Sequence, residues 1–302
     1  MMSLSSRRST RPRRRALTLA GVVTAALALL LSPLTPAHAA APAAGEPQDL
    51  ELGDLQPGEA FMGAGALIHG EEAPADTGEE PATPLQSRVP GIDVSHWQGT
   101  INWSSVRSAG IQFAWMKATE GTNYTDPSFD RNYPAAHAAG VIRGAYHFAL
   151  PDRSSGATQA NFFASNGGAW SADNLTLPGV LDIEANPYGA QCYGLSTSQM
   201  RSWITDFYNT YRSRTGRDIV IYTSPSWWNT CTGGWSGMAS LSPLWVAHWT
   251  SASSPTLPTG FSIWTVWQYT STGSVSGISG NVDRDWFNGS RDRLLALANN
   301  TP

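Results

Sequence analysis

Asp182 and Glu184 stand two positions apart in Val180-Leu181-Asp182-Ile183-Glu184, inside an apolar stretch that starts at Pro178. Side chains alternate along a strand, so the two carboxyls share one face and Leu181 and Ile183 take the other. Two acids crowded in apolar surroundings lose solvation and repel each other, which raises at least one pKa. A carboxyl that keeps its proton near neutral pH suits general acid catalysis. Two further aspartates stand in distinctive settings, Asp93 before Ser95-His96-Trp97-Gln98 and Asp283 in Asn281-Val282-Asp283-Arg284. Glu120 follows Lys117 by three, and the two are expected to pair and shape the site rather than react.

Acids interleaved with Trp and Tyr make a sugar-cleaving surface. Indole and phenol rings stack on pyranose faces, and carboxyls supply protonation and charge stabilisation at the anomeric carbon. The candidate platforms are Trp97, Trp115, Tyr146, Trp245, Trp249, Trp267 and Tyr269, of which a few are expected to line a groove and the rest to pack in the core. The six His form neither HxxxH nor HxH, so no metal site and no cofactor are expected. His147 and His248 are expected to orient carboxylates or hydroxyls. A GxSxG nucleophile elbow and a Walker-type phosphate loop are both missing from the sequence.

The elements that must position these groups are short β-rich runs: Gly91–Ser95, Phe113–Thr119, Arg143–Phe148, Gly179–Glu184, Asp218–Thr223, Leu244–Trp249, Thr265–Tyr269 and Asn281–Asp283. Helices are expected at Asn102–Ala109 and Pro127–Ala139, each followed by a glycine that can cap it, and at Thr158–Ser165, Ser198–Thr215 and Arg291–Ala298. Ser196-Thr197-Ser198 can cap the start of the fourth. Strands alternating with helices argue for parallel strands in a barrel or doubly wound sheet. After Tyr222 helices become scarce. The expected fold class is α/β, an irregular TIM-barrel-like (β/α) barrel of eight strands with helices missing on one side. A polar residue ends each run: Asp93, Lys117 with Glu120, His147, Asp182 with Glu184, Tyr222, His248, Gln268 and Asp283. In a parallel barrel that rim carries the active site. The first and last strands of a closed barrel are neighbours, so Asp93 and Asp283 are expected to meet.

Composition bounds the rest. The chain has 302 residues, a formal net charge of −4, 14% charged and 10% aromatic residues. No basic excess exists to neutralise phosphates, so a dedicated nucleic-acid binder is not expected. Three segments differ in character. Residues 1–39 carry six Arg before the apolar run Ala16–Leu31 and then Ala37-His38-Ala39, the pattern of a secretory signal with cleavage near Ala39. The alternative is a membrane anchor, for which the run is short. Paired arginines leave the export route open between the general and twin-arginine pathways.

Residues 40–89 are acidic and rich in Pro and Gly, with Phe61 the single aromatic. They read as a disordered, solvated linker or propeptide, with an inhibitory pro-segment as the alternative. Residues 90–302 hold all 13 Trp and both Cys and suit one catalytic domain of barrel size. Cys192 and Cys231 are the only thiols in an exported chain, so a disulfide is expected between them.

The stretches GIDVSHWQGTINW (91–103), KATEGTNYTDPSF (117–129), RGAYHFA (143–149), PGVLDIEANPYG (178–189), VIYTSPSWWNTC (220–231), WVAHW (245–249), WQYTSTG (267–273) and GNVDRDWFNG (280–289) together resemble the glycoside hydrolase family 25 lysozymes, the Chalaropsis-type muramidases. One departure is Trp115, where a smaller residue is expected before Met116-Lys117. The resemblance implies an irregular eight-stranded β/α barrel and cleavage of the β-1,4 bond between N-acetylmuramic acid and N-acetylglucosamine, with O-acetylated muramic acid tolerated by members of this type. The family's acidic set falls on Asp93, Asp182, Glu184 and Asp283, with Glu184 matching the proton donor.

The second catalytic role stays open. Either the muramic 2-acetamido oxygen attacks while Asp182 stabilises the oxazolinium, or Asp93 or Asp182 serves directly as nucleophile or base. Tyr146, Lys117, Glu120, Trp97, Tyr222, Trp249, Gln268 and Tyr269 are the candidate substrate contacts. The expected partner is the glycan strand of bacterial peptidoglycan, met by a monomeric secreted chain that binds no nucleic acid and, after signal cleavage, no membrane. A catalytically inactive wall-binding module and a hydrolase of chitin are the competing readings.

Overall fold

The computed structural model describes residues 45–70 and 87–301. The expected signal peptide, residues 40–44 and residues 71–86 lie outside them. Nine strands form one sheet: β1 (Arg88–Val94), β2 (Phe113–Glu120), β3 (Tyr124–Thr125), β4 (Ile142–Phe148), β5 (Val180–Asp182), β6 (Val220–Thr223), β7 (Leu244–Ala247), β8 (Val266–Gly273) and β9 (Val282–Asn288). Eight of them close a barrel in the order β1-β2-β4-β5-β6-β7-β8-β9, with β9 returning to β1 and the two-residue β3 attached to the edge of β2. Strands β1 to β8 of the barrel run parallel.

The last strand corrects the expectation of a short parallel stave at Asn281–Asp283. β9 extends to Asn288 and runs antiparallel to both neighbours. The connection from Gly273 to Val282 is too short for a crossover helix, so the chain can only turn back. Reversal puts the start of β9 on the rim where the parallel strands end, and Asp283 pairs directly with Asp93.

Helices α2 (Trp103–Ser108), α3 (Phe129–Ala138), α4 (Gly156–Ser165), α5 (Thr197–Thr215) and α6 (Pro225–Thr232) fill the first five crossovers, and α7 (Arg291–Asn299) follows β9. α1 (Ala64–His69) precedes the barrel. Ser196 and Gln199 form a reciprocal capping box at the start of α5, and Gly216 ends that helix in the left-handed region. The crossovers from β7 to β8 and from β8 to β9 have no helix among the described residues, so one side is bare as expected. There Leu257, Phe261 and Trp264 of the connecting loop cover Leu244, Val246, Trp267, Tyr269 and Trp286.

Strand alternation sorts the core. Val89, Phe113, Trp115, Ile142, Tyr146, Val180, Val220, Tyr222, Trp245, Val266 and Phe287 fill the barrel interior. The intervening Leu181, Ile183 and Ile221 pack outward on α4, α5 and α6. Trp115 lies against Trp245 with ring centroids 4.8 Å apart. It fits because its cross-strand partner is Gly144, where a Cβ would overlap the indole. The Cys192–Cys231 disulfide joins the loop after β5 to α6, with Cα atoms 5.3 Å apart.

Candidate active site

The same alternation that fills the barrel with hydrocarbon continues to the rim with polar side chains. Following the inward residues along each strand leads to Asp93 on β1, Lys117 on β2, Tyr146 on β4, Asp182 on β5, Tyr222 on β6, Gln268 on β8, and Asp285 then Asp283 on the reversed β9. Hydrophobic layers lie below these groups, and all eight are almost wholly buried.

Gln268 is the hub. Its Nε2 donates to Asp93 Oδ2 at 2.9 Å, while its Oε1 accepts from Tyr222 OH at 2.8 Å and from Trp249 Nε1 at 2.9 Å. Three expected site residues are thereby locked to one amide. Burial raises the Asp93 pKa well above the ordinary carboxyl value, and the carboxyls of Asp285, Glu46 and Asp182 push it the same way. Asp283 is raised first by burial and then by Glu46 and Asp93. Asp182 is also raised, chiefly by burial, with Lys117 opposing and Glu120 reinforcing the shift. Among the described residues neither oxygen of Asp182 has a hydrogen-bond partner, nor has Tyr146 OH, and Asp283 faces the carboxyl of Glu46, with which it can share a proton.

β5 ends at Asp182, but Ile183 N–H still donates to Tyr222 O at 3.0 Å, which extends the ladder by one bond. Glu184 follows, almost fully buried, and its Oε1 accepts the backbone N–H of Gly63 at 2.9 Å. Lys117 and Glu120 form the expected pair, with Nζ to Oε2 at 2.6 Å. Residues three apart on a regular strand point to opposite faces. A bulge between Lys117 and Thr119 inserts an extra residue and brings both into the cleft. Tyr188 OH donates to Glu120 Oε1 at 2.8 Å.

Other expected residues fall elsewhere. Tyr269 neighbours Gln268 but faces out, stacked on Trp286 in the helix-free outer layer, and Trp267 lies there too. Trp115 and Trp245 are interior packing, not platforms. His147 bonds the Thr119 hydroxyl at 2.7 Å and the Gln159 amide oxygen at 2.9 Å on the outward face, where burial lowers its pKa to about 4. His248 Nδ1 accepts the backbone N–H of Thr256, and among the described residues His248 forms no ion pair with a carboxylate. Trp97 and Trp249 do flank the cleft, next to Glu59 and Gly63 respectively.

Sequence reasoning missed three residues. Asp285 accepts from Trp245 Nε1 at 3.1 Å, and its inward position follows from Asp283 by the strand period of two once β9 is known to extend. Tyr188 had no signal beyond its type. Glu46 lies in the acidic segment read as a solvated linker, yet it is buried beside Asp283 and Asp93.

The sequence profile described as Glycosyl hydrolases family 25 matches residues 92–278. Lysozyme M1 of Streptomyces globisporus is 60% identical over 297 residues, covering 98% of this chain and 97% of that protein. The N,O-diacetylmuramidase of Chalaropsis sp is 41% identical over 213 residues, covering 70% and 99%. The crystal structure of a bacterial lysozyme from Streptomyces coelicolor superposes with a TM-score of 0.70 at 68% identity, covering 72% of this chain and 99% of that one. With the acid-lined rim of its barrel and these matches, the chain belongs to family 25 of the glycosyl hydrolases and is an enzyme of the lysozyme type.

Proposed function

We propose that the chain is a secreted N-acetylmuramidase. It hydrolyses the β-1,4 bond between N-acetylmuramic acid and N-acetylglucosamine in bacterial peptidoglycan, and Glu184 is the proton donor. The observation that carries this reading is the convergence of Asp93, Asp182, Glu184 and Asp283 on one rim, buried among Tyr146, Tyr222 and Trp249. The relatives named as lysozyme and muramidase support the substrate class. The arginine-rich start, the apolar run Ala16–Leu31 and Ala37-His38-Ala39 support export.

Glu184 protonates the glycosidic oxygen as the bond to the leaving sugar lengthens. Asp182, two positions earlier and facing the same cleft, accepts the N–H of the muramic 2-acetamido group and steers its oxygen to the anomeric carbon. The resulting positive oxazolinium is stabilised by Asp182 as a carboxylate, so the proton that burial holds on this group leaves to solvent before the step. Asp93, anchored by Gln268, and Asp283 beside it on β9 set the field below the sugar. Tyr146, whose hydroxyl burial keeps protonated, donates to the acetamido oxygen or the developing charge. Glu184, now a carboxylate, takes a proton from water as the water oxygen attacks the anomeric carbon, which opens the oxazolinium ring with retained configuration and restores the acid.

Glu184→Gln, a change of one atom, is expected to cut release of reducing ends from purified cell walls by about 10³-fold or more. Circular dichroism and melting temperature should stay unchanged. Near-normal wall clearing by that variant refutes the donor assignment, and an inverted product by NMR refutes the acetamido route.

A further inference from the structure

The cleft described above is occupied by this chain's own N-terminal segment. Residues 45–70 cross the mouth of the barrel and touch almost every group assigned to catalysis or substrate contact. Gly63 N–H donates to Glu184 Oε1 at 2.9 Å. Lys117 Nζ donates to the carbonyls of Gly58 and Ala60, and Gly58 N–H returns a bond of 2.8 Å to Glu120 Oε1. Trp97 Nε1 donates to Glu59 O at 2.8 Å, and Tyr188 OH accepts the N–H of Ala60 at 3.1 Å. On the segment's side each bond is made by a backbone amide, presented from a run of turns that leads into α1.

Apolar burial adds to these bonds. Met62 enters the barrel interior with Tyr146, Tyr222 and Trp245 and is fully buried. Phe61 is fully buried between Leu55, Ala64, Trp97 and Tyr188. Burying two such side chains stabilises seating by roughly 3–6 kcal/mol before ordering costs. Fit at the deepest point depends on having no side chain. Gly63 adopts φ +92°, and a Cβ there would come within 2.6 Å of the Trp249 ring. A Cβ on Gly65 would come within 2.6 Å of the Ala185 carbonyl carbon and closer still to its oxygen.

We propose that residues 45–70 are a covalently attached inhibitor that keeps the enzyme latent until the chain is cut between Gly70 and Arg88. A glycan strand and the segment need the same Glu184, Lys117, Glu120 and Trp97, so they exclude each other. While the tether is intact the segment competes at an effective concentration on the order of millimolar. Cutting the tether turns that contact into a bimolecular one, and dilution outside the cell dissociates it. The Chalaropsis relative, matched over 99% of its own length by 213 residues, shows that a family member exists at the size of the barrel alone. The inference rests on the muramidase reading.

The test uses the full chain with a site-specific protease sequence substituted within residues 71–86. Activity on purified cell walls is expected to rise by about 10²-fold after cutting and removal of the freed peptide. A synthetic peptide of residues 45–70 should restore inhibition competitively. Gly65→Leu, which overlaps Ala185 but favours the segment's own helix, should activate the uncut chain to a similar degree. Equal activity before and after cutting, or a wild-type peptide that neither binds the cut barrel by calorimetry nor inhibits it, overturns the proposal. Should the cut barrel bind the peptide but fail to cleave walls, the muramidase reading falls and the occupied cleft stands. Should it cleave walls equally well with the segment attached, the reverse holds.

Discussion

Glu46 ties the seating of the segment to pH. Its carboxyl is fully buried, and burial raises its pKa from 4.5 to about 7 against the opposing influence of Asp283, Gln98, His96 and Lys117. The titratable and charged groups facing it are Asp93 of β1, His96 just after it, Lys117 of β2, Tyr146 of β4 and Asp283 of β9. The seated carboxyl holds its proton up to about pH 7, whereas the released one loses it near 4.5. The seated form therefore binds more protons across that window, and affinity must fall as pH rises through it. Seating is strongest below pH 4.5, weakens by about tenfold per unit, and levels off above pH 7. The total is about 300-fold in the dissociation constant. Asp93 and Asp283 add to the slope in the same direction where the segment buries them. Fluorescence anisotropy of a labelled 45–70 peptide on the cut barrel, from pH 4.5 to 8, measures this directly. Glu46→Gln should bind more tightly than wild type at pH 7.5 and show a smaller slope. A dissociation constant that stays flat across the window, or a slope left unchanged by Glu46→Gln, refutes the reasoning.

Gln268→Leu leaves Asp93, Tyr222 and Trp249 without their shared partner. At about 1–3 kcal/mol for each unsatisfied buried group, stability should fall by at least about 3 kcal/mol and the melting temperature by about 6 °C or more. A melting temperature within 2 °C of the parent (roughly 1 kcal/mol or less) contradicts the hub role. Replacing Cys192 and Cys231 with Ser opens a loop with a sequence separation of 39. The loss should be about 4 kcal/mol in the entropy model. Thermal unfolding that is unchanged by the double substitution refutes a stabilising bridge.

Much of the fold and rim was legible because it follows from a period of two. Asp182 and Glu184 share the cleft, and Leu181 and Ile183 share the helix layer, as alternation requires. The meeting of Asp93 and Asp283 also held, though through an antiparallel pair. Strand direction was not legible, since side-chain pattern is blind to polarity and only the short connection before Val282 reports it. Tyr269 was misplaced because being near a rim says nothing about facing it. The β-run reading took Tyr269 as a strand end, whereas β8 continues to Gly273 and alternation turns that ring outward. Helix α6 had its signal in Ser224-Pro225, a capping serine before proline at the first helical turn. Composition makes residues 40–89 look solvated, because it averages their acids with Leu55, Phe61, Met62, Leu67 and Ile68. Averages hide a spacing that suits a groove rather than a core of its own.

The reversed final strand makes the barrel's seam join the two ends of the catalytic domain, with Arg88 opposite Asn288. During synthesis β1 carries a naked edge until the very last strand exists, and β8 waits for the same piece. A chain broken off before Val282 would present two adhesive borders at once. Shortened products should therefore clump rather than survive as weakened enzymes.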